Sequence, residues 1–353
     1  MIIKLHNPYA NFSNNKLEKI DLSGGDIPVI PDVPEEVVIP EEYMTFASTY
    51  SRETLTDNQK TGVASFLYKL KQHGILDKTR QLYMPCIMPD WDHCFLNVAR
   101  YFNENKEEYQ KVEGVSNSTL GLCFDVCDYG IYKTNGSIGW GDCITYNWPD
   151  NDVTFDNWHI LAFKPAQMDA STNTHSCGLN LRGSGGNTVV SFGISGDTST
   201  TQRRRAGWAS GTVKIDGNNV NIKDALFTFP TGWGNGTHDP FCVGLSIKDN
   251  KMMTPSSDYQ EFGYNNRNLV NIIDEMTLVE GATLPTTTMT GKYSWGGYCG
   301  ASISTQQSLA TSIVSIGQGL TKDEIQLFMD DTNELMEILG IKNDNWDPDK
   351  LTA

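Results

Sequence analysis

The chain has 353 residues and a formal net charge of −16, with 43 acidic side chains against 27 lysines and arginines. This balance excludes a basic groove for nucleic acid, because phosphate contacts need clustered cations and the cluster at residues 203–205 is too small. Hydrophobic residues make up 39% of the chain and charged residues 20%, a composition that can bury the core of one large domain or two medium ones.

Membrane insertion and export by a standard signal are not expected from the sequence. No run approaches the ~20 apolar residues that span a bilayer. The N-terminal stretch MIIKLHNPYANFSNN contains one lysine and lacks the long apolar region of a secretory signal peptide. We therefore expect a protein that is made in a cytoplasm and is not inserted into a membrane.

Eight cysteines are scattered along the chain, whereas small disulfide scaffolds are denser in cysteine. The CxxxC spacing of Cys123 and Cys127 is neither a redox CxxC nor a zinc-ribbon spacing. We therefore expect buried thiols, no metal site and no cofactor, with a bridge between Cys86 and Cys94 left open as an alternative. The eight are Cys86, Cys94, Cys123, Cys127, Cys143, Cys177, Cys242 and Cys299.

Residues 1–52 are predicted to form an extended N-terminal arm. Prolines at positions 28, 31, 34 and 40 each fix φ and remove a backbone donor, which disfavours a helix or a central strand there. Isoleucines and valines lie between them, as in a segment that orders against another subunit. A disordered linker is the alternative. The residues expected to make the anchoring contact are Ile27, Val29, Ile30, Val33, Val37, Val38 and Ile39.

Leu55–Gly74 carries the strongest helix pattern in the first half of the chain. Thr56 is a good N-cap, Gln59 occupies the capping-box position, and Gly74 provides a C-terminal stop. The spacing i, i+3, i+4 and i+7 of the apolar residues predicts an amphipathic helix with one buried stripe. That stripe consists of Val63, Phe66, Leu67 and Leu70.

Leu320–Gly340 is a second helix of similar design. Thr321 and Glu324 form a capping box, and Gly340 ends the helix. The apolar residues again recur at helical spacing, which predicts a second buried stripe. Its members are Ile325, Phe328, Met329, Met336 and Leu339.

Between these helices, short apolar runs alternate with glycine-rich turns. The aromatic-rich stretch Trp91–Phe102 is predicted to form a strand and a short turn. Many short strands at even spacing, with no helix-length period between them, favour an antiparallel sandwich or barrel. The candidate strands are His159–Phe163, Gly178–Arg182, Thr188–Ile194, Arg205–Ala209, Gly211–Ile215, Asn219–Ile222, Phe227–Phe229, Cys242–Ser246, Lys251–Met253, Glu261–Tyr264, Glu275–Val279, Thr286–Tyr293, Tyr298–Ser304 and Ile313–Gly317.

Three stretches carry a resemblance to a known family. Gly74–Lys78 is a glycine–hydrophobic–x–x–lysine turn, Leu82–Pro85 is a Leu-Tyr-x-Pro strand, and Ser315–Glu324 is a Ser-Ile-Gly-x-x-Leu-Thr-x-x-Glu segment. Together they resemble bacteriophage virion proteins built on a concanavalin A-like jelly roll. The resemblance covers about residues 53–340 and implies a mainly β fold, a concanavalin A-like antiparallel β-sandwich flanked by two short helices. The arm at residues 1–52 lies outside the resemblance, and we expect the sandwich domain to occupy residues 53–353.

The function implied by this resemblance is a structural one on a phage particle. Stations that fit are a head fibre, as in the crAss-like gut phages, a capsid decoration protein or a tail-fibre protein. Such proteins are commonly homotrimers, so we expect a homo-oligomer with a trimer favoured. The arm would bind capsid or tail proteins in the virion, and the sandwich would face outward toward host-surface glycans.

An enzyme is the alternative, because glycan-depolymerising hydrolases share the jelly-roll architecture. Retaining members of that class carry Glu-x-Asp-x-x-Glu on one strand, which places carboxyl groups beside a glycosidic bond. The closest run lacks a carboxylate between Asp274 and Glu280 on that face. No nucleophile elbow, HExxH motif or phosphate loop is found, and Trp91–Cys94 is interpreted as a packed aromatic turn. We therefore predict no catalytic residues.

Carbohydrate binding is favoured over catalysis by three loop-like segments. Each combines an aromatic ring with glycines and polar groups, the mixture that sugar recognition uses. The segment around Trp233 is the preferred one, because glycines would leave its ring accessible. Packing of these rings at the sandwich rim or a subunit interface is the alternative. The candidate glycan-binding residues are Trp208, Trp233, Asn235, Asp239, Trp295 and Tyr298.

Overall fold

The structure is a computed structural model, and it describes the chain in segments. The following segments are described: residues 38–109, 124–127, 130–133, 144–147, 153–154, 156–163, 174–182, 188–196, 205–210, 212–215, 218–221, 242–261, 267–278, 280, 292–295 and 311–341.

Five α-helices and one short 3-10 helix form within these segments, whereas the sequence predicted two helices. The architecture is therefore mixed helix and sheet rather than clearly mainly β. The helices are α1 Glu41–Tyr50, α2 Asp57–Gln72, α3 Ile75–Lys78, α4 Val98–Glu104 and α5 Lys322–Leu339, with the 3-10 helix at His93–Phe95.

Most strands begin or end within a few residues of their predicted positions, and β15 has the predicted bounds. The strands are β1 Thr79–Tyr83, β2 Phe124–Cys127, β3 Gly130–Lys133, β4 Ile144–Asn147, β5 Trp158–Phe163, β6 Thr174–Arg182, β7 Thr188–Gly196, β8 Arg205–Ser210, β9 Thr212–Ile215, β10 Asn218–Asn221, β11 Cys242–Lys248, β12 Lys251–Glu261, β13 Arg267–Thr277, β14 Lys292–Trp295 and β15 Ile313–Gly317. The candidates Phe227–Phe229 and Tyr298–Ser304 lie outside the described residues.

A six-stranded antiparallel sheet organises the described fold, with strand order β1-β15-β5-β11-β12-β13. Every residue of β5 and β15 is buried. A strand buried on both faces needs a continuous apolar run, and WHILAF and IVSIG provide one apart from His159 and Ser315. The antiparallel pairing of β1 with β15 joins the early and late parts of the chain within one sheet.

A second antiparallel sheet has five strands in the order β4-β14-β6-β7-β8. Two small pairs, β2 with β3 and β9 with β10, complete the described strands. β8 lies against β11 and β12 of the six-stranded sheet. The expected antiparallel sheets are thus present, and the structure adds helices that the sandwich prediction did not include.

Helices α2 and α5 pack against each other. Both capping boxes form as predicted, with the hydroxyls of Thr56 and Thr321 accepting from the backbone N–H of Gln59 and Glu324. All nine residues of the two predicted apolar stripes are buried. A Cβ at Gly62 would lie 2.6 Å from Cγ2 of Ile338, so glycine permits the close approach of the two helices.

Helix α1 corrects the predicted arm of residues 1–52. Its residues Tyr43, Phe46 and Ala47 are buried, and the ring of Tyr43 stacks on Phe102 of α4 at 4.6 Å. The rule that excluded a helix applies only up to Pro40, since proline is tolerated immediately before a helix. Ile39 packs against this core as well. Residues 39–50, which the sequence assigned to the arm, therefore belong to the described core.

Helix α4 corrects the strand predicted within Trp91–Phe102. Asn97 caps α4, and its amide also binds the edge of β1 by accepting from the Leu82 N–H at 3.2 Å and donating to the Arg80 carbonyl at 2.9 Å. The Asn97 side chain thus binds backbone groups of β1 that a further strand could otherwise pair with, which protects this edge strand. The aromatic residues that suggested a strand instead pack α4 against α1.

Three of the cysteines in the described segments follow the expectation. Cys86, Cys94 and Cys242 are buried thiols, so Cys86 and Cys94 do not form the disulfide that the sequence left open. Within the same segments, no helix is long and apolar enough to cross a membrane.

Candidate functional site

A polar cleft of about 370 Å³ opens where α2, α3, β1 and α4 meet. Three cations line it, one from the last turn of α2, one from β1 and one from α4. They are Lys71, Arg80 and Arg100. The positive φ of Gly74, 68°, lets the chain turn from α2 into α3 between the first two of these cations.

Carboxylates and an amide complete the walls of the cleft. Asp77 pairs with Lys71, and its backbone carbonyl accepts from Nη1 of Arg80 at 2.7 Å. Glu104 lies 3.7 Å from Nε of Arg100. Asn103 holds the rim by donating to the Leu76 carbonyl at 2.8 Å. The cleft therefore presents donors and acceptors side by side.

Arg100 is the most firmly held of the three cations. Its Nη1 lies 2.6 Å from Oε2 of Glu108, and its side chain is only 18% exposed. Hydrogen bonds from Arg100 and Lys106 hold the pKa of Glu108 below its usual value, despite the opposing effect of burial. Glu108 thus stays ionised near neutral pH and fixes the guanidinium in place.

Thr79, one of the residues that line the cleft, also belongs to a buried polar junction. The junction consists of Thr79, His159, Ser315 and Gln318. The hydroxyl of Thr79 donates to the Ile75 carbonyl at 2.9 Å and lies 3.4 Å from Oγ of Ser315. The ring of His159 bonds Ser315 Oγ through Nε2 at 2.8 Å and the Gln318 carbonyl through Nδ1 at 2.5 Å. Because the carbonyl can only accept, Nδ1 carries the proton and Nε2 accepts from the serine hydroxyl.

His159 and Ser315 lie as close together as a general base and a nucleophile do, but neither side chain is accessible to solvent. Both residues are 0% exposed, so a substrate carbonyl has no route to the hydroxyl. Desolvation lowers the pKa of His159 to about 4, which keeps the ring neutral at physiological pH. The junction is therefore a satisfied structural network between β5 and β15.

A third polar group, the α2–α5 seam, consists of Lys69, His73, Asp331 and Glu334. Nδ1 of His73 lies 3.0 Å from Oδ2 of Asp331, and Nζ of Lys69 lies 2.5 Å from Glu334 and 3.9 Å from Asp331. Burial raises the pKa of Asp331 to about 6, against the opposing effects of His73 and Lys69. At the seam, burial therefore disfavours the ionised form of a carboxylate that lies between the two helices.

Two of the predicted glycan-binding residues fall on the five-stranded sheet. Trp208 pairs with Gly193, which pairs with Gly178, which in turn pairs with Ser294. Trp208 thus lies in β8, within the predicted strand Arg205–Ala209, and Trp295 is the last residue of β14, in a segment that the sequence suggested to be loop-like.

The other predicted glycan-binding residues, Trp233, Asn235, Asp239 and Tyr298, lie outside the described residues, and so do the predicted anchor residues Ile27, Val29, Ile30, Val33 and Val37. Among the described anchor residues, Val38 is 79% exposed. Ile39 is partly buried and packs on the core of its own chain.

Sequence reasoning missed the cleft and the seam. Lys71 and Arg80 flank the Gly74 turn, but nothing in their spacing shows that Arg100 comes to the same place. His73 and Asp331 lie far apart in the chain, and only the packing of α2 on α5 brings them together. Within the described segments, no group of three or more His, Cys, Asp and Glu residues could hold a metal ion, and Trp91–Cys94 forms no such site.

Comparison with known proteins gives only distant structural likeness. No protein-family model and no curated protein matches the chain. A mutant of Trypanosoma rangeli sialidase with trans-sialidase activity matches with a TM-score of 0.28 and 14% identity over 77% of this chain. The chain spans 39% of that sialidase. The Ca2+-bound exoplasmic/lumenal domain of VIP36 matches with a TM-score of 0.27 and 13% identity, covering 60% of this chain and 90% of that one. These scores are too low to carry a functional argument.

Proposed function

We propose that this chain is a non-catalytic structural protein of a bacteriophage particle, of the head-fibre, decoration or tail-fibre type. In this proposal, the segment before residue 38 attaches the protein to capsid or tail proteins. The part of the chain from residue 38 onward, which we call the helix-closed sheet unit, is displayed outward. It forms a homo-oligomer, with a trimer favoured.

One observation carries the proposal. The three stretches that resemble virion proteins contact one another as a single substructure. Leu82 pairs with Ser315 across β1 and β15, the Gln318 N–H donates to the Lys78 carbonyl at 2.9 Å, and Lys78 forms an ion pair with Glu324. A chance match of three separate stretches would not be expected to assemble in this way, so the contacts support the resemblance.

Deletion of residues 1–37 tests the proposal. This truncation keeps Ile39 and α1, whose buried residues the fold needs, whereas a cut at residue 45 would remove Tyr43. We expect the truncated chain to stay folded by circular dichroism and to be absent from purified particles. A matched control replaces residues 1–37 with a glycine–serine segment of equal length. Normal incorporation of either variant would contradict an anchoring role for this segment.

A carbohydrate-binding module is the second candidate function, and the polar cleft favours it. A volume of about 370 Å³ lies in the range of pockets for small ligands, and the walls combine cationic donors with carboxylate and amide acceptors. A glycan array with the full-length chain tests this candidate, and a reducing-sugar assay on bacterial capsule distinguishes binding from depolymerisation. Absence of binding to any glycan would leave the structural function alone.

A further inference from the structure

We propose that the polar cleft binds an acidic sugar, a hydroxylated ring that bears a carboxylate. This inference rests on the second candidate function, carbohydrate binding, and names the ligand class and the residues that recognise it. It places the binding site at Lys71, Arg80 and Arg100, on a part of the fold distant in sequence from all six predicted glycan-binding residues.

Charge is the first argument. Cations are 27 of the 353 residues of the chain but three of the eight residues that line the cleft. Two lining carboxylates, Asp77 and Glu104, leave a formal excess of one positive charge in a protein of net charge −16. Counting Glu108 and Lys106, which pair with each other beside Arg100, leaves this excess unchanged. A local positive excess in a concave site attracts a small anion.

Preorganisation is the second argument. Arg100 is fixed by Glu108 at 2.6 Å, and Arg80 is fixed by the Asp77 carbonyl at 2.7 Å. A planar guanidinium has five N–H donors and matches a carboxylate in a two-pronged geometry. Side chains that are already held in place lose little freedom on binding, so the ligand does not have to order them.

The carboxylate acceptors in the cleft favour a ligand with hydroxyl groups over a simple anion. The carboxylates of Asp77 and Glu104 have side chains that are 55% and 46% exposed, and they repel an anion at close range. Ligand hydroxyls can donate to these oxygens while the ligand carboxylate meets the guanidinium groups. The cleft therefore fits a ligand that carries both groups.

The described lining contains no aromatic ring, which has a measurable consequence. Stacking contributes salt-independent affinity, whereas contacts between exposed charges are screened by salt. We expect the affinity for an acidic sugar to fall several-fold between about 50 mM and 500 mM NaCl, because the screening length shortens over this range.

Calorimetric titration of the full-length chain with sodium glucuronate, glucose and sodium acetate tests the proposal. Glucuronate should bind, and glucose and acetate should each bind at least about tenfold more weakly, since each lacks one of the two recognised groups. No binding of glucuronate, or acetate or glucose binding as tightly as glucuronate, would overturn the proposal.

Three variants locate the binding. Arg80→Gln should weaken glucuronate binding by about tenfold and Lys71→Gln by a smaller factor, because a guanidinium pairs with a carboxylate more strongly than an exposed ammonium does. Lys251→Gln is the matched control, since Lys251 forms a similar exposed ion pair with Glu275 on β12 and β13. Unchanged affinity in both cleft variants, or equal loss in the control, would overturn the assignment of the site.

Failure of this inference is distinguishable from failure of either candidate function. A glycan-array signal without glucuronate binding would overturn the acidic-sugar site and leave carbohydrate binding standing. Incorporation into particles is read on the deletion of residues 1–37 and does not involve the cleft. The reducing-sugar assay on capsule remains a separate test of depolymerisation.

Discussion

Two polar clusters in the protein, the buried junction and the α2–α5 seam, differ in how completely their buried polar atoms are hydrogen-bonded. At the junction, both ring nitrogens of His159 have hydrogen-bond partners, and burial lowers its pKa to about 4. At the seam, Nδ1 of His73 and Oδ2 of Asp331 lie 3.0 Å apart but are buried without a well-aligned hydrogen bond, and burial raises the pKa of Asp331 to about 6.

This difference indicates which polar contacts stabilise the fold. A neutral ring with two satisfied hydrogen bonds can be buried at low cost and links β5 to β15 in one register. A carboxylate with incomplete hydrogen bonding is costly to bury in its charged form. We therefore expect substitutions at the junction to destabilise the protein. Removal of the buried charge at the seam should stabilise it.

The largest effect should come from His159→Ala. This change leaves the Gln318 carbonyl and the Ser315 hydroxyl without their partner and opens a cavity, so the free energy of unfolding should fall by about 3–5 kcal/mol. Urea denaturation followed by tryptophan fluorescence measures it. His93→Ala is the matched control, since the side chain of His93 is 37% exposed and pairs with the exposed carboxylate of Asp90. Similar losses in the two variants would contradict the role of the junction.

Wild-type stability should depend on His159 at acidic pH. Its pKa is about 4 in the folded state against an ordinary value of 6.5, so the unfolded chain takes up the proton first as the pH falls. The contribution of His159 is complete above about pH 6.5 and is lost as the pH falls toward 4. Urea midpoints between pH 7 and pH 4 should decline less in His159→Gln than in wild type; parallel declines would argue against a buried neutral ring.

Gly62→Ala tests the close approach of the two helices that carry the seam. The new Cβ would meet Ile338 at 2.6 Å, so overpacking should cost about 1–3 kcal/mol, even though alanine is the better helix former. The double variant Gly62→Ala/Ile338→Ala should lose less stability than the two single changes added together. Strict additivity would show that α2 and α5 do not touch at this position.

Asp331→Asn should stabilise the protein by about 1 kcal/mol above pH 6, after allowance for partial solvent screening and for the loss of attraction to His73 and Lys69. The pKa of Asp331 is raised from 3.8 to about 6, so its protonated form stabilises the fold below pH 3.8 and that contribution is lost as the pH rises through 6. The gain should therefore disappear below pH 4. A destabilised variant at pH 7.5 would show that the contacts of the Asp331 carboxylate with His73 and Lys69 outweigh the cost of burying it.

The smallest effects should come from the two capping boxes. Thr56→Ala and Thr321→Ala each remove one hydroxyl that accepts from a backbone N–H, which should cost about 1 kcal/mol by thermal unfolding. Serine at either position should restore most of the loss. No loss in either variant would mean that water satisfies these helix ends equally well.

Local patterns predicted the parts of the fold that local chemistry determines. Thr56, Gly74, Thr321 and Gly340 predicted both ends of α2 and α5, because capping depends on residues within one turn. The five residues of β15 were predicted because they form a short apolar run that ends at Gly317. Helix α4 was missed, since its aromatic residues pack against α1, and a contact of that kind leaves no periodic trace in the sequence.

The candidate site could not be read from the sequence for the same reason. Arg100 reaches the cleft only because Asn97 binds α4 to the edge of β1, a tertiary contact between positions 15 and 17 residues apart. The predicted glycan-binding residues stay a prediction, since Trp233, Asn235, Asp239 and Tyr298 lie outside the described residues.

A cryo-electron microscopy map of purified phage particles that contain the full-length chain tests the central proposal most directly. We expect the helix-closed sheet unit to project outward in a symmetric homo-oligomer and the residues before 38 to contact a capsid or tail protein. Particles that lack the chain, or a map in which the sheet unit itself forms the attachment and the N-terminal segment faces solvent, would contradict it.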